Sequence, residues 1–593
     1  MISKNSILAS SFGALALSCS SLIAVPTVAV YDLDKPLSES GISTASLLDL
    51  SAPARPLTHF DIVRSLEKAA TDMELKAVVL DVDNSNLSLA QIQEIRDHLL
   101  TLRKADKDVW LYTERLSTTT ALLGSAANHM TLMPVGNVML NGLYAENMYF
   151  KSLLDKVGVK VEVIHIGDFK SAGETFYRDS PSKYAAEQQD QLLDSLFDQI
   201  TQQIATGRGL SQLDVKNVID KGSLTAQEAL DAKLVDHLEY RTDFINKIRA
   251  HYGEEADFDK TYELPDPNGP GVKGFFDLMK LVLNSGKESK STTPYIAVIA
   301  LEGTITDQSI APVRQQILKA TRNDQCKGIV LRVNSPGGSA LASDVLWEAT
   351  DEFKATGRPF VVSMGAVAAS GGYYVSAAAD RIFAEPGTIT GSIGVVGMKY
   401  VVGDALANLG INIHSSKRGK HADLMNMTRH YTAEESKIVK DSMLDVYKTF
   451  KKRITDGRGD RIKGDLEKLA GGRVYSGNDA LEIGLIDELG GLSNAISFAI
   501  TQSKEDTPDV RLLPKPKSPF EGMFAKPPVD KHEFISASVP NTPAIQLREE
   551  FLSAQTIGLL NKDQMKQINR FFEQFQALKS QQIMLISPAI NLK

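Results

Sequence analysis

Ser370 lies in A-V-A-A-S-G-G-Y-Y (366–374), and Lys170 lies in I-G-D-F-K-S-A (166–172). A serine hydroxyl attacks a carbonyl when a base takes its proton. Lysine can be that base only if its amine is uncharged, because its ordinary pKa is about 10.4. Burial among apolar groups lowers that value by stripping the ammonium of hydration. Each residue also has an ordinary reading. The small residues around Ser370 suit the first turn of a helix, where Ser is a preferred cap. Lys170 follows the alternating run V-E-V-I-H-I (161–166), which reads as a strand, so it could be a solvated loop lysine held charged by Asp168 or Glu174.

Two further segments could serve the same chemistry. N-S-P-G-G-S (334–339) directly follows the stretch 328–333, which reads as a strand. Pro336 fixes φ and removes a donor, while Gly337 and Gly338 let the backbone aim N–H groups into a cleft. Such donors stabilise a developing oxyanion, each typically worth ~3 kcal/mol of barrier. T-I-T-G-S-I-G-V-V-G (388–397) places Ser392 where it could orient a neutral amine, although a turn between strands explains the same spacing. His59, His165, His414 and His421 stay open as members of a spatial Ser-His-Asp arrangement. No His pair at metal spacing and no Cys/His cluster occurs, so neither a metal nor a cofactor is expected.

The elements that position these residues come in two copies. L-K-A-V-V-L-D-V-D (75–83) answers C-K-G-I-V-L-R-V-N (326–334). S-A-A-N-H-M (125–130) answers A-A-A-D-R-I (377–382), A-T-G-R-G (205–209) answers T-D-G-R-G (455–459), and E-A-L-D-A-K-L-V-D (228–236) answers D-A-L-E-I-G-L-I-D (479–487). The offset stays between 250 and 252 residues in all four matches, which marks a tandem repeat. The position of Lys170 then falls on Ala422, and that of Ser370 near Thr118. The first copy reads N-S-N-L-S (84–88) where the second has its Pro-Gly-Gly. Each copy thus carries a residue the other lacks, and one site built from both is the expectation.

Within each copy, short β-branched runs alternate with amphipathic stretches, which predicts α/β units with largely parallel, buried strands. The expected division is a signal or anchor segment (1–27), a first repeat with Lys170 (28–263), a linker (264–293), a second repeat with Ser370 (294–505), and a Pro-rich and helical extension (506–593). Residues 546–579 read as helix, and Q-I-M-L-I-S-P-A-I (582–590) as a terminal strand.

A chain of 593 residues with 43% apolar and 23% charged residues exceeds a single core. Its net charge of −8 gives no reason to expect nucleic acid. Two cysteines, Cys19 and Cys326, make no disulfide framework. After Lys4, residues 7–25 are uncharged and near the ~20 residues that span a bilayer. A spanning anchor, a cleaved signal peptide, and a lipid anchor at Cys19 behind a poor lipobox all fit, and each exports the body of the protein.

The V-N-S-P-G-G-S segment, the A-x-A-A-S-G-G-Y-Y helix, P-G-T-I-T-G-S-I-G-V and the F-K-S-A segment together resemble the signal peptide peptidase A family in its long tandem form. The resemblance covers about residues 45–505. It implies two Clp/crotonase-like α/β repeats and a membrane-associated serine endopeptidase that degrades cleaved signal peptides. It further implies Ser370 as nucleophile, Lys170 as general base, Gly337 and Gly338 at the oxyanion hole, and Ser392 orienting Lys170. No cofactor is implied. The implied setting is the bacterial inner membrane, with a homotetramer whose catalytic body is periplasmic and whose N-terminal segment meets the membrane. The leader is more Ser/Ala-rich than is usual for this family. Two rivals remain: crotonase-type acyl-CoA chemistry, and a non-catalytic membrane scaffold descended from a protease.

Overall fold

In the computed structural model, described for residues 27–41, 56–83, 85–265, 293–514 and 583–587, nineteen strands form three sheets. In chain order they are β1 (Thr27–Asp32), β2 (Leu75–Asp81), β3 (Asp108–Ser117), β4 (His129–Leu140), β5 (Lys160–Ile166), β6 (Gly222–Leu224), β7 (His237–Leu238) and β8 (Asp257–Asp259). The second half adds β9 (Tyr295–Glu302), β10 (Cys326–Ser335), β11 (Gly337–Ser339), β12 (Phe360–Ala369), β13 (Arg381–Ala384), β14 (Ile389–Gly391), β15 (Val395–Val401), β16 (Val474–Ser476), β17 (Glu488–Leu489), β18 (Asp509–Leu513) and β19 (Ile583–Ile586).

The first sheet runs β6-β4-β3-β2-β1-β8 with β7 beside β4, and the second runs β16-β14-β12-β10-β9-β18 with β13 beside β12 and β17 beside β13. All pairings within these two sheets are parallel except β4·β6 and β14·β16. The fold is therefore two tandem α/β units. The inner strands are apolar on both faces because helices cover both faces. Ala77–Leu80 and Ile329–Val333 are almost wholly buried. The second sheet also takes in β18, which pairs with β9 and lies past the boundary expected at 505. The leader, most of the linker and the extension helix expected at 546–579 lie outside the described residues.

The sequence motifs shared by the copies hold these units together. Helix Lys183–Arg208 and helix Ala433–Arg458 are both 26 residues long. Each ends in an Arg that grips an Asp: Arg208 Nη2 lies 2.6 Å from Asp236 Oδ1, and Arg458 Nη1 lies 2.8 Å from Asp487 Oδ2. Each Asp also accepts a strand N–H, from Met130 or from Ile382, at 2.8 Å. The repeated T-G-R-G and D-G-R-G segments are thus anchors of the fold.

The third sheet, β11-β19-β15-β5, is antiparallel and draws on both repeats. β5 of the first repeat pairs with β15 of the second from Ile166↔Val395 to Lys160↔Val401. This ladder delivers the loop after β5, with Lys170, to the second repeat.

Candidate active site

Ser370 follows β12 directly. The strand runs through Ala369, and helix Gly371–Ser376 begins at once. So tight a strand-to-helix junction leaves Ser370 at φ 56°, ψ −111°. A positive φ at a non-glycine residue costs roughly 1–3 kcal/mol and persists only when its surroundings enforce it. Here they do: Ser370 N–H donates to Gly391 O at 2.8 Å, and Ser370 O accepts from Tyr374 N at 2.8 Å. Although Ser370 stands at the cap position, its side chain makes no capping bond. The hydroxyl is left for another partner.

That partner is Lys170. Its Nζ lies 2.7 Å from Ser370 Oγ, 2.8 Å from Ser392 O and 3.0 Å from Ser392 Oγ. Lys170 is 2% exposed, and both serines are fully buried. Burial pushes the Lys170 amine well below the ordinary lysine range, because the ammonium would lose its hydration. Neither acidic residue that could have held it charged does so. Asp168 is exposed, and Glu174 accepts the Ser182 N–H at 2.8 Å and lies 3.8 Å from Arg178. Ser392 is itself fixed at φ 53° by its N–H bond to Arg473 O at 2.7 Å. Among the described residues no histidine hydrogen-bonds Ser370. His59 instead meets Glu94 in the core, and His165 Nδ1 meets Gly167 O at 2.9 Å.

The Pro-Gly-Gly segment lies alongside. Gly337 takes φ 97°, a left-handed value that favours glycine, and its N–H donates to Ser335 Oγ at 3.1 Å. That N–H is therefore engaged away from the cleft. The Gly337 C=O and Ser339 N–H both bond Ile305, each at 2.8 Å. Strand alternation then turns the Gly338 N–H to the opposite edge. A β-carbon on Gly371 would sit only 3.2 Å from Gly338 N, so these two backbone groups are neighbours next to Ser370.

Sequence reasoning missed three contributors. Gly371 follows Ser370, and its N–H at the helix start was not singled out. Gly472 (φ +87°) backs the Lys170 loop so closely that a β-carbon there would lie 2.4 Å from Lys170 N. Gln188 ties the loop down, since its Nε2 donates to Phe169 O at 3.0 Å and to Ser171 Oγ at 2.9 Å. Gly472 stands in A-G-G-R (470–473), a glycine pair that could have been flagged. No sequence signal marks Gln188.

A family model described as peptidase family S49 matches residues 101–254 and again 352–505, one match on each repeat. A Clp protease model matches 290–388, the segment with β10, β11, β12 and Ser370. Protease 4 of Salmonella typhi is 33% identical over 75% of this chain and 72% of its own length. Protease 4 of Haemophilus influenzae is 30% identical over 76% and 74%, respectively. The chloroplastic serine protease SPPA of Arabidopsis thaliana is 31% identical over 73% of this chain, which spans 64% of that relative. Such coverage takes in both repeats, so the likeness extends beyond the serine-bearing half.

Proposed function

Because the chain belongs to peptidase family S49, we propose that it is a serine endopeptidase with Ser370 as nucleophile and Lys170 as general base. One observation carries this reading: a buried amine lies 2.7 Å from the Ser370 hydroxyl, with no carboxylate among its hydrogen-bond partners.

A neutral amine has two N–H bonds and one lone pair. Ser392 O and Ser392 Oγ accept the two N–H bonds, which aims the lone pair at Ser370. Ser370 Oγ attacks the scissile carbonyl as Lys170 takes its proton. The backbone N–H groups of Gly338 and Gly371 receive the oxyanion, and Gly337 shapes the turn that presents them. Lys170 then passes the proton to the leaving amine. In the second half, Lys170 draws a proton from water, and the attacking hydroxide frees the acid and restores Ser370.

The substrates in this reading are apolar peptides, cleaved signal peptides among them. The apolar leader at 7–25 supports a body exported across the bacterial inner membrane and held at its periplasmic face. Among the described residues no helix is long and apolar enough to cross a membrane. A homotetramer completes the reading, and sedimentation of the detergent-extracted protein tests it directly.

The test of the chemistry is hydrolysis of an apolar reporter peptide by the full-length Ser370→Ala and Lys170→Ala variants. Both should lose hydrolysis while keeping the parent's circular dichroism. Retained hydrolysis by Ser370→Ala would end the proposal.

A further inference from the structure

Arg473 stands in A-G-G-R-V-Y-S (470–476), immediately before β16. Its guanidinium lies over the ring of Phe169, the residue before Lys170, 3.7 Å from the ring centre. The same guanidinium reaches helix Lys183–Arg208. Nη2 donates to Glu187 Oε1 at 2.9 Å, and Nη1 donates to Gln191 Oε1. Tyr184 of that helix meets the Phe169 ring in a T-shaped contact at 5.1 Å. Phe169 is therefore clamped between an arginine of the second repeat and a helix of the first. An aromatic face attracts a guanidinium through its quadrupole, and the planar fork can stack and hydrogen-bond at once.

The main chain of this segment takes part as well. Arg473 C=O accepts the Ser392 N–H at 2.7 Å, and Ser392 O and Oγ are the groups that lie against Lys170 Nζ. Gly471 C=O accepts the Phe169 N–H at 2.9 Å. Residues 471–473 thus border both the base and the serine that orients it.

The first repeat shows that this strand and turn fold without an arginine. Ser476 caps helix Gly477–Glu482 and Thr225 caps helix Ala226–Asp231, which aligns R-V-Y-S (473–476) with G-S-L-T (222–225). Gly222 stands where the second repeat has Arg473, and β6 still pairs antiparallel with β4, as β16 does with β14. The arginine appears in the repeat that receives the Lys170 loop.

Resting on the serine-endopeptidase reading, we propose that Arg473 is a positioning residue for the reaction, locking Phe169 so that the adjacent Lys170 amine stays dry and aimed at Ser370. Arg473 acts through Phe169, since Lys170 Nζ bonds Ser370 and Ser392 instead. The other titratable groups around the loop are engaged elsewhere or exposed. Asp168 is exposed, His165 meets Gly167 O, Glu174 meets Ser182 N–H and Arg178, and Glu187 is held by Arg473. Burial is what keeps the amine uncharged.

The test is full-length Arg473→Gln, which keeps the carbonyl that holds Ser392 and removes the stacked cation. A loop displaced by about 1 Å costs on the order of 10²-fold, so kcat for an apolar fluorogenic peptide should fall by about that factor with KM little changed. Water admitted beside Phe169 rehydrates the ammonium. The pH midpoint of Ser370 labelling by a fluorophosphonate should therefore move up by about one unit, toward that of free lysine. Arg473→Lys should recover only part of both losses, because an ammonium has no planar fork. Glu187→Gln should move both readouts in the same direction by less. An arginine that served the fold alone would lower the urea midpoint and leave the pH profile of the folded enzyme in place. An unmoved labelling midpoint in Arg473→Gln overturns the proposal, whatever happens to kcat. If that variant does not fold, an unmoved midpoint in Glu187→Gln overturns it. Failure to label Ser370 in the parent would instead end the endopeptidase reading.

Discussion

Ser117 and Ser370 stand at equivalent points, the junctions of β3 and of β12 with the helix that follows, yet their side chains do different things. Ser117 Oγ accepts the Thr120 N–H at 3.1 Å and caps helix Thr118–Gly124. Ser370 Oγ caps nothing and meets Lys170 Nζ at 2.7 Å. The backbone accounts for the difference. Ser117 is extended at φ −97°, which suits a cap, whereas Ser370 at φ 56° points its hydroxyl elsewhere. Ser370→Gly should therefore keep the fold and relieve the strain, raising stability by up to ~1 kcal/mol. Thermal unfolding of that inactive variant measures it.

The depressed Lys170 amine fixes the pH dependence. kcat/KM should rise with pH through one ionisation well below the ordinary lysine range, then level off while solvated lysines are still charged. The same shift acts on stability. Between the folded and the unfolded pKa of Lys170, the unfolded chain binds a proton that the folded chain does not, so this residue's contribution to stability rises with pH. At neutral pH it opposes folding. Lys170→Met should abolish hydrolysis and raise the urea midpoint at neutral pH.

Gly472 should matter as much as many residues that touch substrate. An added β-carbon would lie 2.6 Å from Lys170 Cα, so Gly472→Ala must push the Lys170 loop away from Ser370. A displacement of about 1 Å costs on the order of 10²-fold in rate. The expectation is a fall of that size in kcat with little change in KM, read by steady-state kinetics.

A buried charge cluster joins the repeats behind the site. Arg332 on β10 donates through Nε to Glu39 at 3.0 Å and lies 3.2 Å from Glu94, and both acids come from the first repeat. Its Nη1 reaches Ser363 Oγ on β12 at 2.8 Å. Arg332→Met would leave two buried carboxylates without their cation and should cost ~3–5 kcal/mol, seen as a lower denaturant midpoint. Glu385 nearby is driven well above the usual carboxylate range by burial and by the charge of Glu94. A raised carboxyl supports the fold fully below its unfolded pKa and loses that support as pH rises toward the folded value. Glu385→Gln should therefore stabilise the protein at neutral pH.

Much of this was legible in the sequence, and the reasons are specific. The repeat could be read because Arg208/Asp236 and Arg458/Asp487 do the same structural work in both copies, so their motifs stayed alike. Lys170 and Ser370 could be paired because each copy lacks the other's residue. What could not be read was the geometry between distant segments. Nothing local says that β5 pairs with β15, that Gln188 holds the Lys170 loop, or that Ile583–Ile586 lies against Gly337–Ser339. The turn at 334–339 showed its glycines but not that the Gly337 N–H would be taken by Ser335 Oγ. A period of two or 3.6 marks a strand or a helix, but it carries no address for its partner.

The central claim is that an uncharged Lys170 activates Ser370. The rate of covalent labelling of Ser370 by a fluorophosphonate, followed against pH in the parent and in Lys170→Met, tests it without needing a substrate. The account predicts a label on Ser370 alone, a rate that rises through an ionisation well below that of free lysine, and a loss of about 10³-fold or more in Lys170→Met, the scale of a removed general base. Equal labelling of the parent and Lys170→Met across that pH range would contradict it.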